Sequence, residues 1–428
     1  MSQHPDGPRR RLPFAFSALD DAVRRDVIYL DASDTAQSSG ILYRPANREP
    51  KTAVYLMHPR GEFSRHYVVP GLTARGYAVF GHNSRYLNND SHMIHERLLL
   101  DVAAGLRELK DRGFEKVVLL GNSGGGSLLG FYQSQAEKEP ATRLRAAPGG
   151  EPADLSQETM PTGDLFIAVA AHPGQGRFMQ NVLDPSVVEE NDPESWEPDF
   201  DMYLPANGYR PFPETSQYEP RWIGKYRNRQ RDRNRRLDAL ARGYIEEQAF
   251  WLERQQGAGY RDLSQGERAF VDRRAHLSRY MVVYRTLANP AYLDLTIEPN
   301  RRRPGSIFSP AGPMAGNYGQ AGLGRLLTPG AWLSTWSGVS SRANLTQTIA
   351  GVTVPTLIVY ADADSDVFPS EQLEMYNASG AADRDLQVLE WADHYLNPVG
   401  DEGGMMADPR ERLLNMIVPW IEARIGEP

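Results

Sequence analysis

The chain has 428 residues, which is long enough for one large domain with an insertion or for two domains. A formal net charge of −8 is not the basic balance typical of nucleic-acid-binding proteins, so we expect no nucleic-acid partner. The absence of cysteine excludes disulfides, thiolate metal sites and a cysteine nucleophile.

Residues 1–24 are predicted to form an N-terminal arm. Its first part, from Met1 to Leu12, lacks an apolar stretch of the length that a signal peptide needs. No later window approaches the roughly 18 consecutive apolar residues of a membrane helix. We therefore expect a cytoplasmic protein without a membrane partner.

Apolar runs alternate with helical patterns from residue 25 to residue 173, and again from residue 350 to residue 428. Near-continuous apolar strands that alternate with helices predict a mostly parallel sheet with helices on both faces. We therefore expect these two segments to form one α/β core domain. The predicted strands are 26–30, 40–44, 52–57, 77–80, 117–121, 165–170, 354–360 and 386–391, and the predicted helices are 64–75, 91–112, 369–377 and 410–425.

The segment 174–349 differs in composition and is predicted to be a large, mainly helical insertion. An arginine-rich helix is expected over 221–256 and a second helix near 264–288, followed by loops rich in Gly, Pro and Ser. The arginines are interpreted as a solvated helix face with Asp and Glu partners. The tryptophans and tyrosines of the segment either pack in its own core or line an aromatic pocket. The segment can also serve in dimerisation, which leaves a homodimer open.

The pentapeptide Gly121-Asn122-Ser123-Gly124-Gly125 lies between an apolar run and a helical pattern. Gly-x-Ser-x-Gly at a strand-to-helix junction is typical of a sharp turn that exposes a nucleophilic serine. The glycines allow a strained backbone, and the free N–H groups of the helix start favour developing negative charge. The pattern predicts Ser123 as a nucleophile.

A serine hydroxyl needs a positioned base, and the base needs an orienting carboxylate. The acid is expected just after the strand that ends at Tyr360, where three aspartates compete. Asp364 fits best, and Asp362 and Asp366 remain open. His394 follows the last strand and alone among nine histidines lies beyond both the serine and the acid, so it is predicted as the base.

A developing oxyanion needs preorganised N–H donors. The first is expected to be the backbone N–H of Gly124, directly after the nucleophile. The second should come from the loop His58-Pro59-Arg60-Gly61; because Pro59 has no N–H, Arg60 is the predicted donor. His58 can brace this loop, and the Arg60 guanidinium is either a surface charge or a contact for a substrate carboxylate.

Taken together, the Gly-x-Ser-x-Gly turn, the Asp364 loop, His394 and the loop after the third strand resemble the α/β-hydrolase superfamily. The resemblance covers roughly residues 25–172 and 350–426, and it departs from many members in having His-Pro where they have His-Gly. It implies an α/β-hydrolase fold in which 174–349 is a cap that is inserted after the sixth strand and shapes the substrate pocket.

The expected function is that of a serine hydrolase that cleaves a carboxylic ester of a small to medium substrate, aromatic compounds included. The alternative is cleavage of a C–C or amide bond by the same triad. A third hypothesis is a non-catalytic binding protein. No metal is expected, because no third ligand completes a site with His92 and His95. No dinucleotide-binding or phosphate-loop motif follows a strand, so no cofactor is expected.

Overall fold

A mixed eight-stranded sheet forms the centre of the protein. The computed structural model describes residues 14–307, 312–320, 322–400 and 407–428. The strands of these residues, in chain order, are β1 (Arg24–Asp31), β2 (Gln37–Arg44), β3 (Thr52–His58), β4 (Ala78–Asn83), β5 (Lys116–Asn122), β6 (Leu165–Val169), β7 (Met281–Val282), β8 (Leu326–Leu327), β9 (Thr356–Ala361) and β10 (Arg384–Leu389).

The central sheet has the strand order β1-β2-β4-β3-β5-β6-β9-β10, and β7 pairs with β8 outside it. Strand β2 runs antiparallel to both of its neighbours, and all the other pairs are parallel. All eight predicted strands belong to this sheet, so the predicted mostly parallel sheet is confirmed. The continuous apolar runs of β3 and β6 are fully buried because helices cover both faces of the sheet.

Helices pack on both faces of the sheet. Leu98 and Leu128 lie in the apolar core on one face, whereas Leu72 and Ile417 lie in the core on the other. The helices of the described residues are α1 (Val69–Ala74), α2 (His95–Asp111), α3 (Gly124–Ala136), α4 (Gln175–Val182), α5 (Pro220–Gln256), α6 (Gln265–Ala275), α7 (Pro313–Tyr318), α8 (Pro329–Ala331), α9 (Leu345–Thr348), α10 (Pro369–Ala378) and α11 (Pro409–Ile425). A π-helical turn, Trp332–Trp336, directly follows α8.

A long insertion between β6 and β9 carries α4 to α9. Its main element, α5, has 37 residues and packs against α6. The prediction of one helix near 264–288 is wrong beyond residue 275, because the β-branched stretch after it forms β7, which pairs with β8. The predicted large helical insertion is confirmed. The residue limits predicted for the N-terminal arm, the core domain and the insertion stay predictions.

The N-terminal arm is described from Phe14 onward, and residues 1–13 lie outside the described residues. The carbonyl of Phe14 accepts a hydrogen bond from the N–H of Tyr67 at 2.6 Å, and the N–H of Phe16 donates to Arg65 at 2.9 Å. These bonds hold the Phe14 ring over the carboxyl ends of the central strands, where it contacts Tyr395 with a centroid distance of 5.1 Å. Within the described ranges, no helix is long and apolar enough to cross a bilayer.

Candidate active site

Ser123 lies on the turn between β5 and α3, with φ 53° and ψ −126°. A non-glycine residue rarely adopts a positive φ, so this backbone is strained. The N–H of Ser123 donates to the carbonyl of Val169 at 3.0 Å, and its own carbonyl accepts from Gly126 at 3.1 Å. These two bonds fix the turn, and the strain lies at the residue that the sequence predicts as the nucleophile.

Two glycines of the pentapeptide are required by close backbone contacts. A Cβ at Gly121 would lie 2.5 Å from the Cα of Gly126, and a Cβ at Gly125 would lie 2.5 Å from the carbonyl oxygen of Met57. Neither contact leaves room for a side chain. The turn can therefore press against β3 only because both positions are glycine.

Ser123, His394 and Asp364 form a continuous hydrogen-bonded chain. The Oγ of Ser123 lies 3.0 Å from Nε2 of His394, and Nδ1 of His394 lies 2.7 Å from Oδ2 of Asp364. The other carboxylate oxygen of Asp364 accepts the N–H groups of Asp366 at 2.8 Å and Val367 at 3.0 Å. The carboxylate is thereby oriented so that Nδ1 of the imidazole donates to it, and in the neutral ring this leaves Nε2 as a hydrogen-bond acceptor for the serine hydroxyl.

Of the three competing aspartates, Asp364 is the one that the structure hydrogen-bonds to Nδ1 of the histidine. Asp362 instead accepts the N–H of Trp391 at 2.5 Å and pairs with Arg301 of the insertion. Asp366 lines the cavity beside the histidine and accepts a hydrogen bond from the Ser365 hydroxyl at 3.2 Å. The geometry therefore joins His394 to Asp364, the residue favoured by the sequence.

Buried charges control the protonation of His394. Burial favours the neutral ring, but the charge and hydrogen bond of Asp364, assisted by Asp366 and Asp393, outweigh it and raise the pKa of His394 to about 9. Because the His394 side chain is only 8% exposed, water does little to screen these carboxylates. The imidazolium is therefore the favoured form of this ring at neutral pH.

The structure gives the two predicted oxyanion donors different surroundings. Gly124 is the first residue of α3, so its N–H is among the amides that have no acceptor within the helix. The N–H of Arg60 donates to Nδ1 of His58 at 3.1 Å, as does the N–H of Gly61 at 2.7 Å. The Arg60 guanidinium is ion-paired with Asp90. The role of the Arg60 amide stays a prediction, and in this structure that amide already has an acceptor.

A cavity of about 320 Å³ opens above Ser123 and His394. Its apolar wall combines the N-terminal arm, the core and the insertion: Phe14, Phe178, Leu323, Trp336, Val367 and Tyr395. Most aromatic residues of the insertion pack elsewhere; Tyr203, Tyr218 and Tyr226, for example, form a small core of their own. Trp336 is the tryptophan of the insertion that reaches this cavity.

Sequence reasoning missed two polar residues of the cavity wall, His172 and Gln175. His172 follows β6 and precedes a proline, just as His58 ends β3 and precedes a proline. In both places the ring nitrogen Nδ1 accepts the N–H of the residue after the proline. The repeated His-Pro after a buried strand was the available signal.

The described residues include one cluster of side chains that could hold a metal ion. One group, Asp364, Asp366 and His394, has ligand atoms within 4.8 Å of one another. Asp364 and His394 already bond to each other, and the second ring nitrogen of His394 lies within hydrogen-bond distance of Ser123. His92 and His95 lie near different partners, Tyr280 and Thr335. We therefore assign no metal to either set.

The strand order, the serine on the turn after β5, and the acid and histidine after the last two strands define the α/β-hydrolase fold. This confirms, at the level of the fold, the resemblance noted in the sequence. No protein-family model matches the chain, and no curated protein matches it either.

Solved structures that resemble the chain include three proteins of low sequence identity. The esterase domain of a Rhodothermus marinus protein is 11% identical with a TM-score of 0.43, and the match covers 94% of this chain and 100% of that one. The α/β hydrolase GrgF from Penicillium sp. sh18 is 12% identical with a TM-score of 0.47, over 94% and 99%. Est1E from Butyrivibrio proteoclasticus is 10% identical with a TM-score of 0.43, over 93% and 98%.

Proposed function

We propose that the protein is a cofactor-free serine hydrolase that cleaves a carboxylic ester of a small to medium substrate through an acyl-enzyme. The observation that carries the proposal is the hydrogen-bonded chain from Ser123 through His394 to Asp364, at the floor of a cavity. A strained serine at a helix start and a buried imidazole–carboxylate pair are the parts that acyl transfer requires.

In the proposed reaction, neutral His394 takes the proton of Ser123 as the serine oxygen attacks the acyl carbonyl. The N–H of Gly124 donates a hydrogen bond to the resulting oxyanion. The N–H of Arg60 becomes a second donor if it no longer donates to Nδ1 of His58. The imidazolium, oriented by Asp364, then protonates the leaving alkoxide. Water cleaves the acyl-enzyme by the same steps and regenerates the serine.

The cavity supports a substrate of limited size. Its volume of about 320 Å³ is at the lower end of the range for small-molecule sites, and its wall is largely apolar and aromatic. Because Phe178, Leu323 and Trp336 of the insertion form part of its wall, we expect a small soluble substrate to fit better than a polymer surface. An ester with a short or medium acyl group, aromatic or aliphatic, fits these features best.

The first experiment compares the wild type with Ser123→Ala, using a fluorophosphonate probe and nitrophenyl esters of increasing acyl length. We expect labelling and turnover in the wild type and loss of both in the variant, with kcat lower by on the order of 10⁴-fold or more. Ser370→Ala, an exposed serine at the start of α10, is the matched control and should behave as the wild type. Absence of labelling in the wild type would instead favour a non-catalytic binding protein.

A further inference from the structure

Three side-chain nitrogens from separate elements converge beside the nucleophile. They are the Nε2 atoms of His58 at the end of β3, of His172 after β6 and of Gln175 at the start of α4, and we call them the nitrogen cluster. A methyl group placed on Gly124 would lie 2.9, 3.1 and 2.5 Å from these three atoms, respectively. The three nitrogens therefore lie close together around Gly124, the residue that follows Ser123, and all three side chains line the cavity.

The backbone fixes both imidazole rings as hydrogen-bond donors at Nε2. Nδ1 of His58 accepts the N–H groups of Arg60 and Gly61, and Nδ1 of His172 accepts the N–H of Gly174 at 3.1 Å. A neutral imidazole that accepts at Nδ1 carries its proton on Nε2. The cluster therefore presents two ring N–H groups and one amide NH₂ group.

Within the part of the chain that the structure describes, these donors have no acceptor. None of the described residues accepts a hydrogen bond from Nε2 of His58, His172 or Gln175, although Gln175 is only 4% exposed. The Oε1 atom of the same amide is also buried without a partner. Polar groups that a protein leaves unpaired are usually satisfied by water or by a ligand, so three such donors on one cavity wall favour the binding of a ligand oxygen.

The cluster carries no net charge. Burial lowers the pKa of His172 to about 3, and burial together with the charge of Arg60 lowers the pKa of His58, so both rings are neutral at physiological pH. The guanidinium of Arg60 is ion-paired with Asp90 and does not supply an unpaired positive charge. Neutral N–H donors with no free cation beside them bind a carbonyl oxygen better than a carboxylate. They would not offset the free energy that is needed to remove a carboxylate from water.

We propose that the nitrogen cluster binds a second, uncharged carbonyl oxygen in the acyl part of the substrate, so that the substrates are keto esters. The inference rests on the proposed ester hydrolysis at Ser123. Adjacent Cα atoms are about 3.8 Å apart, so the cluster at Gly124 lies beside the scissile carbonyl, within reach of an oxygen on one of the next two acyl carbons. A simple ester leaves these donors unpaired, which costs affinity for the transition state.

The test compares ethyl 3-oxobutanoate with ethyl butanoate, with ethyl 2-oxobutanoate as a second keto ester and monoethyl succinate as the anionic analogue. Each kcat/KM is divided by the hydroxide-catalysed rate of the same ester, which removes differences in intrinsic reactivity. We expect the wild type to prefer a keto ester by at least about tenfold after this correction. His172→Phe and Gln175→Leu should each reduce that preference by at least about tenfold, whereas His92→Phe, outside the cavity, should retain it.

The outcomes separate this proposal from the proposed function. Labelling of Ser123 by a fluorophosphonate, together with no corrected preference in the wild type or an unchanged preference in both variants, overturns the keto-ester proposal and leaves serine hydrolysis standing. A preference for monoethyl succinate that the variants lose also overturns it. No labelling and no turnover of any ester overturns the proposed function itself. Gln175→Leu keeps the test informative if His172→Phe fails to fold, because no described residue bonds the Gln175 amide.

Discussion

At the scale of single residues, the proton on His394 decides when the proposed nucleophile can act. The three neighbouring aspartates raise the pKa of this histidine to about 9. A general base works only in its neutral form, so at neutral pH most molecules carry an imidazolium that cannot accept the serine proton.

We therefore expect kcat/KM to rise about tenfold per pH unit up to a midpoint near pH 9. Asp366→Asn removes one of the charges that stabilise the imidazolium, so the midpoint should move to lower pH and activity at neutral pH should rise. Asp154→Asn, a fully exposed carboxylate, is the matched control and should leave the midpoint unchanged. A rise centred near pH 6.5 in the wild type would contradict the charge assignment.

A comparison of two aspartates tests which carboxylate orients the base. Asp364→Asn replaces the acceptor at His394 Nδ1 and should lower kcat by on the order of 10⁴-fold, because the imidazole then adopts the wrong tautomer. Asp362→Asn keeps an acceptor for the N–H of Trp391 and weakens only the pair with Arg301, so we expect a loss of less than about tenfold. Steady-state kinetics on a nitrophenyl ester checks both, and the reverse ranking would reassign the acid.

At the scale of elements, α5 is not only the solvated face that its arginines suggested. Arg233 is 1% exposed and bonds Glu190 together with the carbonyls of Asp184 and Tyr284. Arg235, two residues further on, has a side chain that is 64% exposed and pairs with Asp232 of its own helix. The arginine-rich stretch therefore combines exposed charges with buried hydrogen bonds and an ion pair that join α5 to other parts of the insertion.

Arg233→Ala should reduce the free energy of unfolding by about 3–5 kcal/mol, because it leaves the buried Glu190 carboxylate with a weaker set of partners. Arg235→Ala, the matched exposed arginine, should change it by less than about 0.5 kcal/mol. Urea unfolding followed by circular dichroism measures both values. Equal losses would mean that burial does not distinguish the two arginines.

The turn that presents Ser123 offers a second test at this scale. Gly125→Ala brings a methyl group against the Met57 carbonyl and should cost about 1–3 kcal/mol of stability, with a larger relative loss of kcat as Ser123 shifts. Gly243→Ala in the open middle of α5 meets no atom within 4 Å and should stabilise the protein by about 0.5–1 kcal/mol. A neutral effect at Gly125 would show that the turn has room to relax.

At the scale of the whole molecule, the order of strands and site residues along the chain explains which features could be predicted from the sequence. Buried parallel strands have near-continuous apolar runs, so the sheet could be predicted from pattern alone. Ser123, Asp364 and His394 could be proposed as site residues because each follows a specific strand, although the pattern left Asp362 and Asp366 open as the acid. The direction of the Arg60 N–H could not be predicted, because it depends on the rotation of the His58 ring. Gln175 carries no motif and becomes a site residue only because α4 starts beside Gly124.

Because of the insertion, the proposed nucleophile is also synthesised well before its proposed base. Ser123 and His394 lie 271 residues apart in the sequence, with the whole insertion between them. At about 5–20 residues per second, a ribosome finishes the Ser123 turn roughly 14–54 s before it adds the histidine. During that interval the nascent chain lacks the proposed base, so a chain released early would lack the proposed hydrolytic activity.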